Sequence, residues 1–245
     1  MLKVIRNLSL VLCLLVLVMS TSGLNENVSA SSHPGVAVTS GTSGNIDNTG
    51  KTKTATTATM TIPANHLALL WVGTTFGISG PPTITDPLRS WQMVATGGPN
   101  SGNRRVTLFK SLADVETTGN VKFTNSGGRS TTWAWSAVEY PATQVVQYKY
   151  NDATQTFQNS GLIILPSTSG NGGFTTMGFV VYYGARPLHP GAGYQFVGGQ
   201  PCVRMCLQVS ARADYAQRAT MTWDGACLEL DGRLCHWAGI AVELK

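Results

Sequence analysis

The sequence predicts an all-β protein: an antiparallel β-sandwich, jelly-roll-like, made of two related units packed together. Three observations predict it. From Ala55 to the C-terminus, short apolar and β-branched runs alternate with Gly, Pro and Asn clusters, the rhythm of strands in sandwiches and jelly rolls. No window repeats its apolar residues at the helical period. The first and second halves of this region also match one another, motif for motif.

The N-terminus comes first. Lys3 and Arg6 precede an apolar run from Leu8 to Met19, and small and polar residues follow it. That is the layout of a secretory signal peptide, and the run is shorter than the roughly 20 apolar residues of a membrane span. Cleavage fits after Gly23, in Ser20-Thr21-Ser22-Gly23, or after Ala30, in Val28-Ser29-Ala30. Cys13 lies inside the apolar run behind Leu12, which argues against a lipid-modified cysteine. Residues 1–30 are therefore read as signal, no membrane span is expected after cleavage, and the mature chain is expected outside the cell or at its surface. What is left of the 245 residues is long enough to bury a real core.

Charged residues make up 12% of the chain, about half the usual share. The net charge is +5, but the basic residues are scattered. Nucleic-acid binding asks for a basic stripe, so no nucleic-acid partner is expected. Residues 31–54 are rich in Thr, Ser, Gly and Asn and read as a flexible lead-in in preference to an edge strand. The first sandwich unit, 55–142, is expected to carry strands at 58–62, 66–76, 90–96, 104–112, 120–124 and 131–140. The second, 143–245, is expected to carry them at 145–150, 161–166, 175–183, 194–197, 203–211, 219–223 and 237–244.

The repeat is visible in the residues. Arg104-Arg105-Val106-Thr107-Leu108 lines up with Val203-Arg204-Met205-Cys206-Leu207, and Val121-Lys122-Phe123-Thr124 with Met221-Thr222-Trp223-Asp224. Trp133-Ala134 and Ala137-Val138-Glu139 line up with Trp237-Ala238 and Ala241-Val242-Glu243. An internal duplication of this size implies two similar supersecondary units. The short link at 141–144 predicts that they pack tightly.

Several of these motifs carry a resemblance: Leu67-Ala68-Leu69-Leu70-Trp71-Val72, Ile84-Thr85-Asp86 leading to Ser90-Trp91, Val106-Thr107-Leu108-Phe109, and the endings Ala137-Val138-Glu139-Tyr140 and Ala241-Val242-Glu243-Leu244. On them, residues 55–245 resemble a secreted, duplicated β-sandwich module of bacterial surface proteins and phage tail or fibre-associated proteins. The resemblance implies an extracellular jelly-roll-like module without a catalytic apparatus.

Read for chemistry, the mature cysteines Cys202, Cys206, Cys227 and Cys235 form an even set in an exported chain, which predicts disulfides in preference to a zinc site. A straight strand from Val203 would set Cys202 and Cys206 about 13 Å apart, too far to bond. One is then expected to pair with Cys227 and the other with Cys235. His66 and His189 read as turn residues, and His236 as packing beside Trp237. No Gly-x-Ser-x-Gly elbow is present. Glu139 and Glu243 follow Ala-Val in apolar strands. Their repetition favours a structural pairing, with Arg89, Arg105 or Arg204 as partner, over the carboxylate pair of a glycosidase. Asp86, Asp152, Asp214 and Asp224 form no dense calcium loop, and no metal or other cofactor is expected.

The aromatic residues left for a binding platform are Tyr148, Tyr150, Tyr183 and Tyr194, with Tyr148 and Tyr150 on one strand face. Trp133 and Trp237 read as equivalent core positions. These readings favour a non-catalytic adhesion or surface-assembly protein over an enzyme. Its expected partners are further copies of itself or a cell-surface glycan. The alternatives are a carbohydrate-binding module and, behind it, a polysaccharide-degrading enzyme.

Overall fold

The computed structural model describes residues 41–46, 52–75, 80–98, 104–127, 130–156, 159–166, 173–182, 187–200, 205–224 and 235–245. Within them every regular element is a strand. The first half holds β1 (Gly41–Ile46), β2 (Thr54–Thr56), β3 (Met60–Ile62), β4 (Leu67–Thr75) and β5 (Thr83–Thr85). It continues with β6 (Gln92–Gly97), β7 (Arg104–Leu112), β8 (Thr117–Gly119), β9 (Lys122–Thr124) and β10 (Thr132–Tyr140). The second half holds β11 (Val145–Thr156), β12 (Ser160–Ile164), β13 (Phe174–Tyr182) and β14 (Leu188–Pro190). It closes with β15 (Gln195–Gln200), β16 (Met205–Arg212), β17 (Arg218–Trp223) and β18 (Cys235–Leu244).

Two five-stranded antiparallel sheets dominate, in the orders β1-β10-β4-β7-β6 and β11-β18-β13-β16-β15. These orders are the same path traced twice. Registers align them residue by residue: Glu139 faces Ala68 and Glu243 faces Thr175, while Trp133 faces Thr74 and Trp237 faces Val181. Even the irregularities repeat. β6 steps from Met93 to Ala95 opposite Phe109 and Leu108, and β15 steps from Phe196 to Gly198 opposite Ser210 and Val209. Leu108 thus corresponds to Val209, two residues on from the match with Leu207 suggested by the bare sequence. A slip of two keeps every side chain on its face, which is why the hydrophobic pattern did not betray it.

The two large sheets pack against each other. Their shared core takes Leu69, Trp71, Leu108 and Val138 from one sheet and Val180, Val209, Ile240 and Val242 from the other. A Cβ on Gly178 would lie 2.3 Å from Trp71 Cδ1, and one on Gly73 would lie 3.0 Å from Val180 Cγ2. By the registers, 71 corresponds to 178 and 73 to 180. Equivalent positions therefore meet across the interface, and a pseudo-two-fold axis runs along β4 and β13.

The outer faces are covered as well. β2-β9-β5 and β3-β8 cover the first sheet, and β12-β17-β14 covers the second. They close two further cores, around Phe123, Trp133 and Trp135 and around Phe179, Trp223 and Trp237. The result is four layers. A strand covered on both faces carries no polar alternation, and β4 and β10 are buried at all nine positions. Among the described residues the outer layers are built of short strands, three to six residues long.

Residues 41–46 depart from the expected flexible lead-in. They form β1, paired from Gly41 with Val138 to Ile46 with Trp133. Partners nearly a hundred residues away hold this segment, and nothing in its own composition announces them. Leu188–Pro190, read as a turn, is the edge strand β14. The rest of 1–40, and with it the signal segment, lies outside the described residues.

Candidate functional site

Edge strand β6 of the first sheet lies beside edge strand β11 of the second, and a cleft of about 450 Å³ opens between them. Met93, Val94 and Lys110 form one wall, and Val146, Gln147 and Tyr148 the other. On the outer side of β6 a second cleft, about 430 Å³, is lined by Ile84, Asp86, Arg89, Trp91, Met93 and Phe109. Met93 belongs to both and is 50% exposed, and Tyr148 is 49% exposed.

The second cleft sits where the chain crosses from outer sheet to inner sheet. β5 ends at Thr85, and Asp86-Pro87-Leu88 turns the chain, with the Leu88 amide donating to Asp86 Oδ1 at 3.0 Å. Asp before Pro favours such a side-chain-closed turn. The other carboxylate oxygen, Oδ2, accepts from Arg89 Nε at 2.6 Å and from the Trp91 indole at 2.8 Å. Both members of this ion pair are buried. Three donors on one carboxylate fix Arg89 side-on, and its terminal Nη1 and Nη2 are buried without a hydrogen-bond partner. A buried donor left unmet costs about 1–3 kcal/mol.

The expected platform tyrosines fall in different places. Tyr148 lines the first cleft. Tyr150 shares its face but is half-buried: its ring covers Gly97 and its hydroxyl donates to Asp152. Burial and the Asp152 carboxylate both raise its pKa well beyond the usual phenol range. Tyr194 is 7% exposed, packed in the outer core of the second half beneath the Arg212 guanidinium. It is not a surface residue, because β17 and the turn after β14 close over it. Tyr183 lies outside the described residues. Bare sequence pointed to Tyr148 but missed Met93, Trp91 and the Asp86–Arg89 pair. The spacing Asp86-Pro87-Leu88-Arg89-Ser90-Trp91, three polar or aromatic partners within one turn, was the available signal.

The repeated glutamates are buried, and each has a hydrogen-bonding side chain beside it. Glu139 Oε1 is hydrogen-bonded to His66 Nδ1, and Glu243 Oε2 accepts from Gln147 Nε2 at 2.6 Å. His66 also closes the preceding turn, where its amide donates to the Pro63 carbonyl at 3.2 Å and Asn65 takes φ 60°. Asn is the non-glycine residue best suited to that region. Ser111 faces the same side as Glu139 across Ala68, but its hydroxyl is buried without a partner.

Cys206 is buried in the outer core of the second half and is disulfide-bonded. Cys202, Cys227 and the Cys235 side chain lie outside the described residues, so the connectivity stays open. β16 begins at Met205, and Gln200 of β15 pairs with Leu207; residues 201–204 lie outside the described residues. His189 Nε2 lies 3.0 Å from Asp224 Oδ1 on the exposed edge of β14. Among the described residues no group of three or more His, Cys, Asp or Glu stands together as metal ligands. No protein-family model, no curated protein and no solved structure matches the chain.

Proposed function

We propose that this chain is an exported, non-catalytic protein of adhesion or surface assembly that works by presenting binding faces. One observation carries the reading. The two related edge strands β6 and β15 place a large apolar side chain, Met93 and Phe196, at the same bulge. These are 50% and 47% exposed. Isolated exposed apolar residues are ordinary, but a large one at each of two positions related by the pseudo-two-fold gives the molecule two similar contact points. A body with two like faces can join others into chains. The four-layer core and a disulfide framework in the second half suit a part that persists outside the cell.

The exported protein is expected to self-associate as its concentration rises, and the double variant Met93→Asp, Phe196→Asp is expected to remain monomeric. Sedimentation equilibrium on both decides it. A wild-type protein that is monomeric at every concentration sinks the assembly reading.

A second reading is carbohydrate binding. It is favoured by the apolar and aromatic lining of the two clefts, with Trp91 and Met93 in one and Met93 and Tyr148 in the other.

A further inference from the structure

The duplication sets the cleft between β6 and β11 apart, because its polar side chains have no counterparts at the other end of the pseudo-two-fold. One row across the first sheet reads Gly41, Val138, Leu69, Lys110 and Gln92. The equivalent row of the second sheet reads Tyr148, Val242, Thr176, Ala211 and Gln195. Across the shared core the two rows run in opposite senses. The Lys110–Gln92 end therefore meets Tyr148 in the cleft, and the Ala211–Gln195 end lies toward Gly41, where β15 packs beside β1. Ala211 is buried, whereas Tyr148 is exposed. Ala211 and Gly41 show that the fold can be built with small residues at these two positions. Lys110 and Tyr148 are long, polar-tipped additions at one end only.

Charge narrows the ligand. Lys110 shares the inward side of β7 with Val106 and Leu108 of the core, one step beyond them, where the cleft begins. Among the described residues no carboxylate forms an ion pair with it, and no Asp or Glu lines the cleft. A cation without a counter-charge favours an anion, and a net charge of +5 favours the approach of an acidic polymer. Gln92, exposed beside Lys110, adds an amide, while Met93 and Tyr148 offer an apolar thioether and an aromatic face. An extended acidic peptide fits less well. Both strand edges at the cleft carry a bulge, at Val94 and Val146, which breaks the ladder such a peptide would join. We propose that this cleft binds a uronic acid ring of an acidic polysaccharide, its carboxylate on Lys110, its hydroxyls on Gln92 and its C–H face against Tyr148 and Met93. The proposal rests on the carbohydrate-binding reading and names the class of glycan.

The test is calorimetric titration of the full chain with hexagalacturonate and hexamannuronate, with the neutral cellohexaose and xylohexaose, and with hexaglutamate as an acidic peptide. At least one of the two uronates is expected to bind more tightly than any other ligand, with an affinity that falls as salt is added. Lys110→Gln is expected to weaken that binding about tenfold or more, and Tyr148→Ala to weaken it several-fold. Lys122→Gln removes an exposed charge outside the cleft and is expected to leave it unchanged. If no saccharide binds, the carbohydrate reading and this inference both fall. If a neutral hexasaccharide binds more tightly than both uronates, the reading survives and the acidic class is overturned. Equal losses from Lys110→Gln and Lys122→Gln, or no loss from either, would overturn the assignment to this cleft. Hexaglutamate binding as tightly as the better uronate would overturn the sugar ring as the ligand.

Discussion

Glu139 and Glu243 occupy equivalent positions, yet one meets a histidine and the other a glutamine. The cause lies one strand away. His66 precedes β4, and its equivalent before β13 is Gly173, where a Cβ would lie 1.9 Å from the Leu244 carbonyl oxygen. With no side chain possible there, Gln147 of β11 supplies the donor. A buried carboxylate needs hydrogen-bond donors, and at these two equivalent positions different side chains supply them. His236 shows the opposite case, a base held neutral. Burial first, and the Arg104 guanidinium second, lower its pKa from 6.5 to about 4. The unfolded chain then binds a proton between those values that the native state refuses, so stability is present above pH 6.5 and is lost as pH falls toward 4. The urea midpoint is expected to drop across that window, and His236→Gln is expected to flatten the drop. An unchanged pH profile in the variant would assign the acid sensitivity to other groups.

The long strands were legible in the sequence because double-sided burial writes an unbroken apolar run. Leu67-Ala68-Leu69-Leu70-Trp71-Val72 and Trp133-Ala134-Trp135-Ser136-Ala137-Val138 each fall within β4 or β10. Of the short strands, β3 and β9 fall within the expected runs 58–62 and 120–124, but others were not legible. β5 and β8 are three-residue, Thr-rich pieces fixed by pairing with β9 and β3, and local composition does not distinguish them from turns. The candidate site was legible only at Tyr148, since its opposite wall comes from β6 through the packing of two halves. That packing also explains Gly178. Its equivalent is Trp71, and the two meet, so one side of the axis carries the large ring and the other carries nothing. Gly178→Ala would drive a methyl into the indole, and overpacking of this kind costs about 1–3 kcal/mol. The substitution is expected to lower the unfolding free energy by that amount, against a smaller change for Gly80→Ala, where the nearest atom is the Ser126 side-chain hydroxyl oxygen at 3.3 Å. Equal effects would mean that the interface relaxes around the added methyl.

At the scale of the molecule, the duplication has not produced two independent bodies. The inner faces of both five-stranded sheets belong to one core, with Leu69, Trp71, Leu108 and Val138 on one side and Val180, Val209, Ile240 and Val242 on the other. All eight are essentially inaccessible to water. At about 1.5–3 kcal/mol for each fully buried large apolar side chain, uncovering these eight costs as much as or more than the 5–15 kcal/mol that usually separates native from unfolded. Neither half should therefore outlive the other. The protein is expected to unfold in urea in a single transition, with far-ultraviolet circular dichroism and tryptophan fluorescence coinciding. Slow-exchanging amides should lie in both β4 and β13 and release together, as expected when global opening is the common route to exchange. Residues 143–245 made alone would carry the bare inner face of β13, β16 and β18 and are expected to aggregate or to pair through it with a second copy, rebuilding the pseudo-two-fold as a true one. Two resolved transitions in the intact chain, or a stable monomer of 143–245, would show instead that each half holds its fold without the shared core.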